Sequence, residues 1–140
     1  MKQLDEIIEL RRDINSIIER LSELKQMTQP RVQTISDMPR GGDKKNVIEE
    51  YIVKSERLQK KLDIKSRELE SKWGELKILF CKAQLTNAQQ NMIRARFYYA
   101  MSWKECVGTM ETLYPQSKWS EQKLFRIYRN VLSKLNKVND

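Results

Sequence analysis

Ile7, Leu10, Ile14, Ile17, Leu21 and Leu24 follow one another at alternating steps of three and four residues. That spacing puts all six on one side of a helix, as a seam for a second helix. Leu4, Ile8 and Ile18 widen the stripe toward that of a core-facing bundle helix. The residues between them (Asp5, Glu6, Glu9, Arg11, Arg12, Asp13, Glu19, Arg20, Glu23 and Lys25) carry both signs of charge, which suits a solvated face. A helix over residues 4–28 follows, and with it a fold built by packing helices together.

Gln29-Pro30 ends this element, because proline excludes the α region for the residue before it. Residues 29–45 read as a loop, with Ser36-Asp37-Met38-Pro39-Arg40-Gly41-Gly42-Asp43 at its centre. Arg31, Arg40, Lys44 and Lys45 make it basic, so it is either a solubilising connection or a phosphate contact. Asp43 is a good N-cap for the helix that follows, which meets no proline up to Lys82. Ile48, Tyr51, Leu58, Leu62, Leu69, Leu76 and Leu79 mark its seam, and Ser55, Lys65 and Lys72 interrupt it. Trp73 and Phe80 lie beside the seam, placed to pack against whatever comes next. The first helix is too short to cover the second. The expected arrangement is an antiparallel coiled-coil-like hairpin, whose remaining apolar length pairs with the C-terminal residues or with another copy.

The chain thus divides into a hairpin and oligomerisation arm over residues 1–82, containing the basic loop, and a second domain over residues 83–140. In the latter, Thr86-Asn87-Ala88-Gln89 and Ser102-Trp103-Lys104-Glu105 are two capping boxes, each opening a helix. Met92 or Ile93, Phe97 and Met101 point inward from the first. Trp103, Cys106 or Val107, and Met110 do so from the second. Pro115 marks a turn, and Ser120 or Ser117 caps a last helix with a core face of Leu124, Ile127 or Tyr128, Val131 and Leu135. The opposite face carries Gln122, Lys123, Arg126, Arg129, Asn130 and Ser133. Arginine and lysine match guanine O6/N7, glutamine and asparagine match adenine N6/N7, and a helix N-terminus attracts phosphate. The same face would also serve as the solvated side of a plain three-helix bundle.

Charge favours a polyanionic partner. The net formal charge is +8, and residues 85–140 hold nine Lys/Arg against four Asp/Glu. Neutralising phosphates with such residues releases condensed counterions. Other chemistries find little support. There is no histidine, which removes His-based acid–base catalysis, and no Gly-rich phosphate loop. The chain is therefore not expected to be an enzyme, to hold a metal or to need a cofactor. Cys81 and Cys106 are isolated from each other and read as reduced, half-buried fillers in a cytoplasmic protein. No signal-peptide pattern opens the sequence, and no apolar run is long enough to span a membrane.

Leu85-Thr86, Phe97-Tyr98, Ser102-Trp103-Lys104-Glu105 and the capped basic last helix together resemble the region-4 helix-turn-helix of sigma factors. The whole layout, including Arg31-Val32-Gln33-Thr34 and the stretch from Ser36 to Asp43, is similar to small phage proteins with sigma-like C-termini, the RinA-like and ArpU-like late-gene regulators. That resemblance implies an all-α regulator of phage transcription that binds double-stranded DNA in the host cytoplasm, with a possible contact to host RNA polymerase and a homo-oligomer formed through the arm. It places the recognition helix on residues 120–131, with Gln122, Lys123, Arg126 and Arg129 as contacts beside Ser120 and Asn130, and Lys104 near phosphate. The turn over residues 110–120 is several residues longer than is usual in the family, which brings Lys118 into the candidate DNA surface. The competing expectations are a coiled-coil adaptor for a protein partner and a small phage packaging or replication protein.

Overall fold

Helix-forming residues at heptad spacing become two long helices in the computed structural model, which describes residues 1–28 and 42–139, without the side chains of 28 and 42–46. Helix α1 spans Lys2–Thr28 and α2 spans Gly42–Lys82. Three shorter helices follow: α3 (Asn87–Ile93), continued by a π-helical turn (Arg94–Tyr98), then α4 (Trp103–Leu113) and α5 (Glu121–Asn139). The described residues are all helix and connection, with no strand. Against the basic loop expected over residues 29–45, α2 already begins at Gly42, so Lys44 and Lys45 stand in its first turn. Arg31 and Arg40 lie outside the described residues, and the capping role expected of Asp43 falls outside the described side chains.

The chain forms two compact units, one of residues 1–12 with 68–140 and the other of residues 13–67. Their limits fall within α1 and α2 rather than at residue 82. In the first unit, Leu4, Ile7, Ile8 and Leu10 of α1 and Leu69, Trp73, Leu76 and Phe80 of α2 are buried. They share the unit with Met92, Ile93, Phe97, Cys106, Met110, Leu124, Val131 and Leu135, also buried. Polar contacts tie these pieces together. Lys72 Nζ lies 2.7 Å from Glu6 Oε2, which holds the Glu6 carboxyl below its ordinary range and the Lys72 amine above its own. Arg11 Nε donates to the Tyr98 carbonyl at 2.6 Å. Its guanidinium stands 4.8 Å from the Tyr98 ring centroid. Trp73 does meet the C-terminal residues, with its ring centroid 5.1 Å from that of Tyr98, and within α2 it meets Phe80 edge-on at 5.5 Å.

Among the described residues, the second unit holds the remaining parts of α1 and α2. Ile14 and Ile17 are buried there, and Lys65 pairs with Asp13 at 3.5 Å. With one partner per helix the buried stripe narrows to the seam. Ile18, expected to widen the stripe, is 48% exposed, whereas Leu4 and Ile8 in the better-covered first unit are buried. Ile48, expected on the seam, is 48% exposed as well, with Val47, Ile52 and Val53 exposed beside it at the start of α2.

Helix ends explain the turns between elements. Gln84 has φ 55°, the left-handed conformation. There Leu85 N donates to Phe80 O and Gln84 N to Cys81 O, a Schellman closure that occupies the last carbonyls of α2. Ala100, φ 53°, closes the π-helical turn in a related way, with Met101 N bonded to Ala95 O and Tyr99 N to Arg94 O. Both positions hold residues with a Cβ where glycine is the usual occupant.

Candidate nucleic-acid interface

Helix α4 begins where the sequence pattern places it. Glu105 N donates to Ser102 Oγ at 3.2 Å, and Ser102 N donates to Glu105 Oε1 at 3.4 Å. The same reciprocal pair joins Thr86 and Gln89 at 3.2 and 3.0 Å in front of α3. Each box satisfies amides that a helix start otherwise leaves open. On α4, Cys106 and Met110 are fully buried, while Trp103 and Val107 are half-buried. Burial pushes the Cys106 thiol up to about 11. Cys81 is exposed rather than half-buried, because it stands one helical position round from buried Phe80.

The connection over residues 114–120 is long but closed on itself. Trp119 Nε1 donates to the Tyr114 carbonyl at 3.0 Å, and the two rings lie 6.0 Å apart. Tyr114 Oη accepts from Asn91 Nδ2 at 2.9 Å, tying the turn to α3. Ser120, not Ser117, caps α5: its Oγ accepts from Lys123 N at 3.2 Å.

Helix α5 separates its two sides cleanly. Leu124, Val131 and Leu135 are fully buried, and Ile127 and Tyr128 are half-buried beside them. Burial, the nearby Asp5 carboxylate and the opposing pull of Arg96 leave the Tyr128 hydroxyl above its ordinary range. Gln122, Arg126, Arg129, Asn130 and Ser133 are exposed. At 100° per residue, positions 122, 126, 129 and 133 share a narrow strip and 130 sits at its edge. Neither Arg126 nor Arg129 takes part in an ion pair among the described residues. Lys104 on α4 and Lys118 in the turn are also exposed. Glu121, at the first position of α5, is exposed and offsets part of the positive field there.

Lys123 is the exception within the expected set. It is half-buried, with Nζ donating to the Lys118 carbonyl at 2.9 Å and lying 4.2 Å from the Trp119 ring centroid. Its charge faces the turn rather than the strip of Gln122 and Arg126. Two residues outside the expected set join the surface. Phe125 is 40% exposed and meets Trp103 edge-on, with centroids 4.9 Å apart. Arg96 sits over the same indole at 5.0 Å, its Nη1 donating to the Met101 carbonyl at 2.7 Å. The position of Phe125 could be read from spacing, three residues after Gln122 and four before Arg129. Arg96 gave no such signal, because its placement depends on the π-helical turn.

Among the described residues no group of Cys, Asp or Glu side chains could hold a metal ion, and no helix is long and apolar enough to cross a membrane. No family model matches the chain, and neither curated proteins nor solved structures supplied a similar one.

Proposed function

We propose that this protein binds double-stranded DNA and regulates transcription. In this reading α4 and α5 act as a helix-turn-helix of the sigma region-4 type, with α5 entering the major groove. The observation that carries it is the outer strip of α5, where Gln122, Arg126 and Arg129 are exposed over a fully packed inner side. These side chains have the donors that purine edges accept. Lys104, Lys118 and the Ser120-capped N-terminus of α5 would meet the phosphates that fix register. The phage origin and the contact with host RNA polymerase rest on the resemblance of the sequence to sigma-like phage regulators. A homo-oligomer through a hairpin of α1 and α2 is supported by the exposed run of Val47, Ile48, Ile52 and Val53. A two-fold dimer would set two recognition helices about 34–36 Å apart along the duplex.

The test is selection of bound sequences from a random duplex pool, followed by titration of the selected duplex across salt concentrations. A linear fall of log affinity with log salt is expected. Arg126→Ala should lower affinity by about tenfold and relax the preference at one base pair per half-site. Binding that is absent at about 50 mM salt, or that ignores salt, would count decisively against the proposal.

A further inference from the structure

The outer strip of α5 is not uniformly polar. Phe125 borders it, beside Gln122 and Arg129 at helical spacings of three and four residues, and 40% of it is open to solvent. Its ring is held from behind. Trp103 meets it edge-on at 4.9 Å with 67° between planes. Trp103 is in turn braced by Tyr128 at 5.5 Å and by the Arg96 guanidinium at 5.0 Å. Tyr128 stacks on buried Phe97 at 5.6 Å and 22°. A chain of rings thus runs from the core to the surface and ends on Phe125. A side chain braced in this way loses little rotamer freedom when a ligand touches it.

The major groove offers one apolar group to such a ring, the 5-methyl of thymine. Apart from the small C5–H of cytosine, the other groups on the base edges there are hydrogen-bond donors and acceptors, which a phenyl ring serves poorly. Gln122, Arg126 and Arg129 can serve those groups on the neighbouring base pairs. We propose that Phe125 is a specificity-determining contact that selects a thymine by its methyl group, beside base pairs read by the flanking Gln122 and Arg129. This rests on the DNA-binding reading of α5.

The experiment separates the two. A duplex selected from a random pool by the full chain is resynthesised with each thymine replaced singly by deoxyuridine, which removes only the methyl. One replacement per half-site should weaken binding about fourfold, the effect of losing one buried methyl-sized group. Phe125→Ala should bind the thymine and uracil forms of that position equally while keeping its preferences elsewhere. If Phe125→Ala loses helix content by circular dichroism, Phe125→Gln, which keeps length but removes the apolar ring, makes the same comparison. Salt-dependent duplex binding in which no single replacement matters, or a penalty that persists in both variants, overturns the role of Phe125 and leaves the DNA-binding reading standing. Absence of duplex binding by the wild-type chain overturns both.

Discussion

The two cysteines show how far one helical step changes a side chain. Cys81 is exposed at the end of α2, and Cys106 is fully buried on the inner side of α4. Thiolate, not thiol, attacks alkylating reagents. With its thiol pushed up to about 11 by burial, Cys106 is doubly protected. Iodoacetamide at about pH 8 should therefore label Cys81 in the native protein and Cys106 only on unfolding. Mass spectrometry of the two peptides checks this, and Cys81→Ser should abolish native labelling. The pH sign follows from the same shift. Folding favours the neutral thiol, so its contribution is whole below the ordinary value of 9.0 and is lost as pH rises through about 11. The sequence treated the two cysteines alike because both are isolated in it. Their difference depends on which side of a helix is covered.

At the scale of elements, the starts of α3 and α4 and the last residues of α1 and α2 were legible, but the way two of the ends close was not. Both capping boxes use residues three apart, so the pattern lies in the sequence itself and the structure repeats it at Thr86 and Ser102. Ser102→Ala should destabilise the first unit by about 1 kcal/mol, the usual contribution of such a cap. A urea midpoint shifted at unchanged slope would show it, and an unshifted midpoint would contradict the role. The ends of α2 and of the π-helical turn are different. They use left-handed Gln84 and Ala100, residues with no intrinsic preference for that conformation. Main-chain hydrogen bonds to the carbonyls of Phe80 and Cys81 at one end and of Arg94 and Ala95 at the other, with the burial of Leu85 and Phe97, hold them there. The connection from Tyr114 to Ser120 looked overlong, and Trp119 and Tyr114 close it by a hydrogen bond that no local pattern announces.

Over the whole molecule, the C-terminal helices are not self-sufficient. Leu4 and Ile7 belong to the same compact unit as α3 to α5 and are fully buried there. Arg11 bonds to the Tyr98 carbonyl, and Gln3 Nε2 lies 3.3 Å from Asn139 Oδ1. A fragment of residues 83–140 should therefore lack the cooperative thermal transition that the full chain shows, because it loses the apolar cover from α1 and α2. Differential scanning calorimetry of both would check this, and a fragment melting as sharply as the whole would refute it. The division of the chain at residue 82 followed from reading it as successive segments. Compactness joins residues far apart in that order.

The sequence by itself determined the helices, the inner seam of α1, the capping boxes at Thr86 and Ser102 and the segregation of polar residues on α5. Each of these is periodic or local, and 3.6 residues per turn converts spacing directly into a face. Only the tertiary structure decided how wide each seam is buried, why Ile8 is covered and Ile18 is not, and that Lys123 folds back onto Trp119. It also decided that Phe125 is presented on a braced ring. Those outcomes depend on how many neighbours each helix acquires, and that number comes from elements distant in the chain.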